Sequence, residues 1–233
     1  AQGLHLNLIR DVSWASVLDR LLYGHTDAAH LLAPLAIATT LGRGRPAKAL
    51  SVPFILGLNG NAITMSHALA DKVAPAGRLG DPVSVGEKLR AEIQKRAGSG
   101  DRIRFGVVHR YSGHNYKLRY WLAQCGIAPD TDVDIVTIAP PFAADALANA
   151  EVDGICVGEP WNSVAVERGI GRIVLVTAQI WRRGVEKVLA MPAEKLDDDR
   201  DKIERLVRAL HFAARHFVDP ANWDTNAEIL FLC

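Results

Sequence analysis

Three places in this sequence put polar side chains where a strand passes into a helix. His30 precedes Pro34, Ser112-Gly113-His114 follows a strand-like run ending at Val108, and Gly158-Glu159-Pro160 follows Cys156-Val157. The first turn of a helix carries unpaired N–H groups and the positive end of the helix dipole, so anions settle there. Gly158 lets backbone come close to a ligand, and Pro160 opens a helix without wasting a donor. Open α/β sheets bind ligands beyond the carboxyl ends of their strands, so the recurrence points to a small anionic ligand.

Each of these residues also has a plain structural reading. His30 sits in an apolar strand, where a lone histidine usually serves a structural hydrogen bond. His114 follows a Ser-Gly turn that would cap a helix in any protein. Glu159 is favoured beside a helix N-terminus whatever the function. Lys187, next to Glu186 in a strand-like run, reads as a solvated edge charge, and Asn59 and Asn61 read as turn residues. Trp121 and Trp161 lie on apolar helical faces and read as core. The sequence has no P-loop, GxGxxG, GxSxG or HExxH, and no histidine is paired with a nucleophile or carboxylate in a recognisable pattern.

Those residues need a scaffold, and the composition supplies one. The chain has 233 residues, 49% hydrophobic and 23% charged, with 27 Lys plus Arg against 26 Asp plus Glu. That is a globular composition, between one domain and two at roughly 150 residues each. The net charge of +1 lacks the basic footprint of a nucleic-acid binder, so no direct nucleic-acid partner is expected. No run of about 18 apolar residues exists, and no membrane span is expected. Cys125, Cys156 and Cys233 form no CxxC and lie at no zinc-ligand spacing, which leans toward a reducing compartment. The start at Ala-Gln-Gly-Leu-His-Leu, without Met, is read as that of a fragment.

Periodicity places the elements. Leu4 to Ile9 alternates like a short strand, and Ser13 then precedes Trp14, Val17, Leu18, Leu21 and Leu22 at helical spacing. Asp27 to Leu32 reads as strand and Leu35 to Leu41 as a helix opened by Pro34. Val52 to Thr64 is extended, with a tight bend at Asn59-Gly60-Asn61. Residues 71 to 101 are the loosest stretch, with one helix over 85–97. Strands are expected at 103–108, 133–138, 154–157, 173–177 and 185–191, and helices at 115–125, 142–150 and 160–168. A long helix runs from about Ile203 to Phe217. Strands alternating with helices predict an α/β fold with mostly parallel sheets.

Five segments resemble a known family: Trp14 to Leu21 (WASVLDRL), Gly24 to Pro34 (GHTDAAHLLAP), Leu58 to Thr64 (LNGNAIT), His114-Asn115-Tyr116 with Leu118 to Leu122 (LRYWL), and Cys156 to Asn162 (CVGEPWN). They are similar to the nitrate and bicarbonate solute-binding proteins of bacterial ABC transporters, from about residue 4 to 220. The resemblance implies a two-lobed periplasmic-binding-protein-like (type II) α/β fold, N-terminally incomplete, with the oxyanion in the cleft between lobes. Its lobes would be 1–60 with 179–233, and 61–178, with crossings near Asn59-Gly60-Asn61 and Thr177-Ala178-Gln179.

The same resemblance implies that His114, Gly158, Glu159 and Lys187 line the anion site, with Asn61 as an amide donor at the hinge and His30 beside them. It implies a binding protein, not an enzyme, with no cofactor and no metal. The expected partners are nitrate, nitrite or bicarbonate, together with an ABC permease or a cytoplasmic regulator. Where nitrate transport proteins carry Gln-Trp, this chain has His30-Leu31, which is more similar to the nitrate-sensor branch. Export would follow from the first role and a cytoplasmic location from the second. A relative of the fold that makes a pyrimidine precursor of thiamine supplies the enzyme alternative. Nitrate only accepts hydrogen bonds, so Glu159 suits it only if neutralised by Lys187 or bonded to His114; bicarbonate, with one donor, would suit a free Glu159 better.

Overall fold

The computed structural model describes residues 3–98 and 100–232, the final three by backbone only; Cys233 lies outside them. Ser13 accepts a hydrogen bond from the Ser16 N–H and starts α1 (Trp14–Leu22), which buries Leu18 and Leu21. Gly24 then takes a left-handed φ of 74° and turns the chain into β1 (Ala29–Leu32). Pro34 lies in the first turn of α2 (Ala33–Thr40). After β2 (Leu50–Leu58) and β3 (Asn61–Ser66), Ser66 caps α3 (His67–Val73) and Asp81 caps α4 (Pro82–Arg96).

Regular alternation follows: β4 (Arg104–Val107), α5 (Gly113–Gln124), β5 (Asp134–Thr137), α6 (Ala143–Ala148), β6 (Gly154–Gly158), α7 (Trp161–Glu167) and β7 (Gly171–Val176). The chain closes with α8 (Thr177–Ile180), β8 (Val185–Pro192), α9 (Glu194–Asp198), α10 (Arg200–Val218) and α11 (Trp223–Leu232). Among the described residues no helix is long and apolar enough to cross a membrane.

The strands form two sheets, one in the order β1-β8-β2 and one in the order β5-β4-β6-β3-β7. The two-lobed α/β class holds, but the expectation of mostly parallel sheets is corrected. Only β4–β5 and β4–β6 pair in parallel; β3 pairs antiparallel with β6 and β7, and β8 antiparallel with β1 and β2. Strand–helix repeats foretell parallel neighbours only while the chain stays in one sheet. Here β3, just after the crossing from the other sheet, runs opposite to β6 and β7 on either side of it.

The expected strand at Leu4 to Ile9 is absent: these residues pair with no sheet, and Leu8 is 85% exposed. Alternation alone makes no strand without an edge to join. In the loose stretch the expected helix over 85–97 is α4 (Pro82–Arg96), and α3 ends at Val73, just inside its start.

One apolar cluster packs α3, α4 and α5 on the five-stranded sheet around Ile63, Met65, Leu89, Phe105, Leu118 and Trp121. A second runs across both sheets, joining Leu18, Leu21, Leu31 and Val188 to Ala144, Val157 and Ala165. Trp121 is core as expected, its indole N–H donating to the Pro82 carbonyl at 2.8 Å, and Trp161 packs against the second cluster. The sheets are connected where β2 passes into β3 through Asn59 and Gly60, both with positive φ, and again through residues 177–184. Asn59 ties these crossings together: its backbone N–H donates to the Gly184 carbonyl (2.9 Å), its Oδ1 accepts from the Gly184 N–H (3.0 Å), and its Nδ2 donates to the Arg182 carbonyl (3.0 Å).

Candidate functional site

Between the two sheets, β8 sends two adjacent charged side chains into one polar cluster. Alternation along a strand would point Glu186 and Lys187 to opposite faces. The pairing of β2 with β8 is irregular at this point, with register shifts between Ile55 and Gly57 and between Gly57 and Leu58, and such irregularities re-aim side chains. Glu186 Oε1 consequently lies 3.3 Å from Lys187 Nζ and 3.1 Å from His114 Nδ1. Glu186 and His114 side chains are buried, at 2% and 1% exposure, while Lys187 keeps 20%.

His114 sits in the first turn of α5, positioned by Ser112, whose hydroxyl accepts from the Asn115 N–H. Its Nε2 faces the Val108 N–H at 3.4 Å and so acts as acceptor, which leaves the ring proton on Nδ1 to donate to Glu186. Burial lowers the His114 pKa more than the Glu186 carboxylate raises it, so the ring is neutral. Burial favours protonated Glu186, yet the His114 N–H, the Lys187 ammonium and the Asn61 amide outweigh it and hold Glu186 below the usual carboxylate range. Gly113 makes room for that carboxylate, since a Cβ there would sit only 2.3 Å from Glu186 Oε2.

We term the junction of the two sheets at the partly exposed Lys187 ammonium, flanked by groups from both, the recess. Lys187 Nζ is 5.2 Å from the centre of the Trp14 ring, and Trp14 meets the His30 ring edge-on at 5.6 Å. Opposite, Gly158 ends β6 paired with Asn61 of β3; a Cβ at Gly158 would lie 3.2 Å from Asn61 Oδ1 and 3.8 Å from Lys187 Nζ. His30 is exposed, but the atoms packed about its ring, and after them the Lys187 charge, lower its pKa. Around this recess Trp14 Nε1, Asn61 Oδ1 and Glu186 Oε2 are buried with no hydrogen-bond partner among the described residues. Buried polar atoms are rarely left so: an acceptor guest would satisfy the indole N–H, whereas the two oxygens are themselves acceptors and would need a donor.

The sequence-derived residues divide accordingly. Lys187, Gly158, Asn61, His30 and His114 converge, with His114 set behind Glu186 rather than on the recess surface. Glu159 does not join them. It is exposed, and its Oε2 accepts from the N–H (3.1 Å) and hydroxyl (2.8 Å) of Ser163, closing the first turn of α7. The carboxylate that neutralises Lys187 and bonds His114 is Glu186, and no spacing signal marked it. Trp14 was also missed as a site residue, because its helical spacing reads as core.

Nothing here resembles a nucleophile–base pair. Cys156 is fully buried and its thiol pKa is raised by burial. Among the described residues no group of three His, Cys, Asp or Glu could hold a metal. A separate open groove of about 560 Å³ lies between β2 and the α9–α10 pair, lined by Phe54, Ile203 and Val207 among others, and its ionisable lining residues are all exposed.

Comparison with known proteins adds to this geometry. The sequence matches the NMT1-like family over residues 1–231. It is 33% identical over 227 residues to a bicarbonate transport ATP-binding protein, CmpC, of Synechococcus elongatus, covering 97% of this chain and 32% of that protein. It is 32% identical over 230 residues to the nitrate/nitrite binding protein NrtA of the same organism, covering 95% and 50%. The fold matches the crystal structure of the periplasmic nitrate-binding protein NrtA from Synechocystis PCC 6803 with a TM-score of 0.82 at 24% identity, over 94% of this chain and 56% of that one. The chain thus spans between about a third and a half of the length of these curated relatives.

Proposed function

This chain belongs to the NMT1-like family, and from that premise we propose that it captures a small oxyanion, nitrate or nitrite, reversibly and without catalysis between its two lobes. The observation that carries the reading is the Lys187 ammonium, held by Glu186, flanked by Trp14 and Gly158 and 20% exposed. A planar monoanion that only accepts hydrogen bonds suits an ammonium and an indole N–H. Lobe closure on the anion is the output, delivered to an ABC-type permease or to a regulator. The boundaries 1–60, 61–178 and 179–233 are proposed for the lobes, in keeping with sheets built from residues 29–58 with 185–192 and from 61–176.

Nitrate is favoured over bicarbonate by the state of the carboxylates. Glu159, which could have accepted the bicarbonate proton, is engaged with Ser163, while Glu186 uses one oxygen for His114 and Lys187 and turns the other against Gly113. Relatives named for both anions make the comparison direct. Calorimetric titration of the full-length protein with nitrate, nitrite and bicarbonate should give submillimolar binding of nitrate or nitrite and weaker bicarbonate binding. No binding of any of the three in that range contradicts the reading.

A further inference from the structure

We propose that Lys117 is a specificity-determining residue of this anion site: with Lys187 and against the single carboxylate of Glu186 it sets one net positive charge, which a monoanion cancels. The inference rests on the anion-binding reading above. Lys117 lies three residues after His114 on α5, hence on the same face of the helix, turned toward β8. Although a lysine, it is only 9% exposed, and its Nζ has no hydrogen-bond partner among the described residues. The side chain ends against Gly184, just before β8; a Cβ there would sit 2.8 Å from both Cε and Nζ, so a side chain at 184 would displace the ammonium.

Such an ammonium has no evident structural purpose. Burying an unpaired charge is unfavourable, and a buried lysine normally finds a carboxylate. The ionisable groups that the Lys117 charge reaches are His114, neutral behind Glu186; Cys156, a buried thiol; and Lys187; Glu186 bonds His114 and Lys187. The Lys117 charge opposes protonation of both His114 and Lys187. Two lysines against one carboxylate leave a surplus of one positive charge in a weakly screened interior, where it acts on a guest without touching it. Nitrate brings the cluster to neutrality. Sulfate would overshoot and leave a buried negative charge.

The test is Lys117→Met in the full-length protein, a substitution that keeps length and removes charge. Titration with nitrate should show affinity reduced tenfold or more, while the ligand-free protein melts at the same temperature or a few degrees higher, because an unpaired buried charge is gone. The unaltered protein should bind sulfate far more weakly than nitrate. Should Lys117→Met fail to fold, Lys117→Gln carries the same two readouts. Nitrate affinity within twofold of the unaltered protein, alongside lost binding in Lys187→Ala, overturns the inference and leaves the anion site standing. Failure of the unaltered protein to bind any anion overturns both.

Discussion

Glu186 Oε1 lies 3.1 Å from Nδ1 of His114, and that hydrogen bond ties a strand of the three-stranded sheet to the first turn of a helix packed on the five-stranded sheet. The same oxygen lies 3.3 Å from Lys187 Nζ. One carboxylate therefore locks the lobes' contact and aims the cation of the recess.

Removing that carboxylate should cost stability before it costs anything else. Glu186→Gln leaves Lys187 without its counter-charge, and breaking a buried ionic pair is worth about 3 kcal/mol. Denaturant unfolding should show a loss of that order. A change under about 0.5 kcal/mol, the usual range for surface substitutions, would mean that the buried pair does not hold the lobes.

Glu159 behaves differently. Glu159→Ala removes the bonds to the Ser163 N–H and hydroxyl, and loss of a capping interaction costs about 1 kcal/mol. Nitrate affinity should not change, because this exposed carboxylate is held by Ser163. Loss of nitrate binding in calorimetry of Glu159→Ala would return Glu159 to the site.

Acid should weaken the fold in two stages. His114 is neutral in the folded chain with its pKa below the ordinary 6.5, so the unfolded chain takes up the proton first and stability declines as pH falls through 6.5. His109, also lowered mainly by burial, adds to this decline. Glu186, held below its ordinary 4.5, adds a second loss as pH falls through 4.5 toward its folded value. Melting curves from about pH 8 to about pH 4 should show a midpoint that is flat at the top and falls below 6.5. In His114→Gln the first decline should be shallower; an unchanged decline would contradict the neutral His114–Glu186 pair.

Much of the scaffold was legible because local chemistry and tertiary packing agree there. Ser13 and Ser112 cap their helices, Pro34 opens one, and Gly126 follows the end of α5 with a left-handed φ. Strand direction was not legible, since β3 acquires its antiparallel neighbours only through the crossing at Asn59 and Gly60. Gly158, Asn61 and His30 lie in the short segments that carry the resemblance, and Lys187, outside them, was implied by the family pattern. Glu186 was hidden by its adjacency to Lys187, which on a regular strand would put the two on opposite faces, and by a partner 72 residues away. Trp14 was hidden because an aromatic at helical spacing looks the same whether it faces a core or a cleft.

The most direct measurement is nitrate binding to the full-length protein and to its Lys187→Ala variant, compared by calorimetry. Loss of a charged partner from a desolvated anion contact typically costs about 2–5 kcal/mol, so binding should become undetectable in the variant while the unaltered protein binds below millimolar. A Lys187→Ala protein that binds nitrate as tightly as the unaltered one would place the anion elsewhere and contradict the assignment of this cleft.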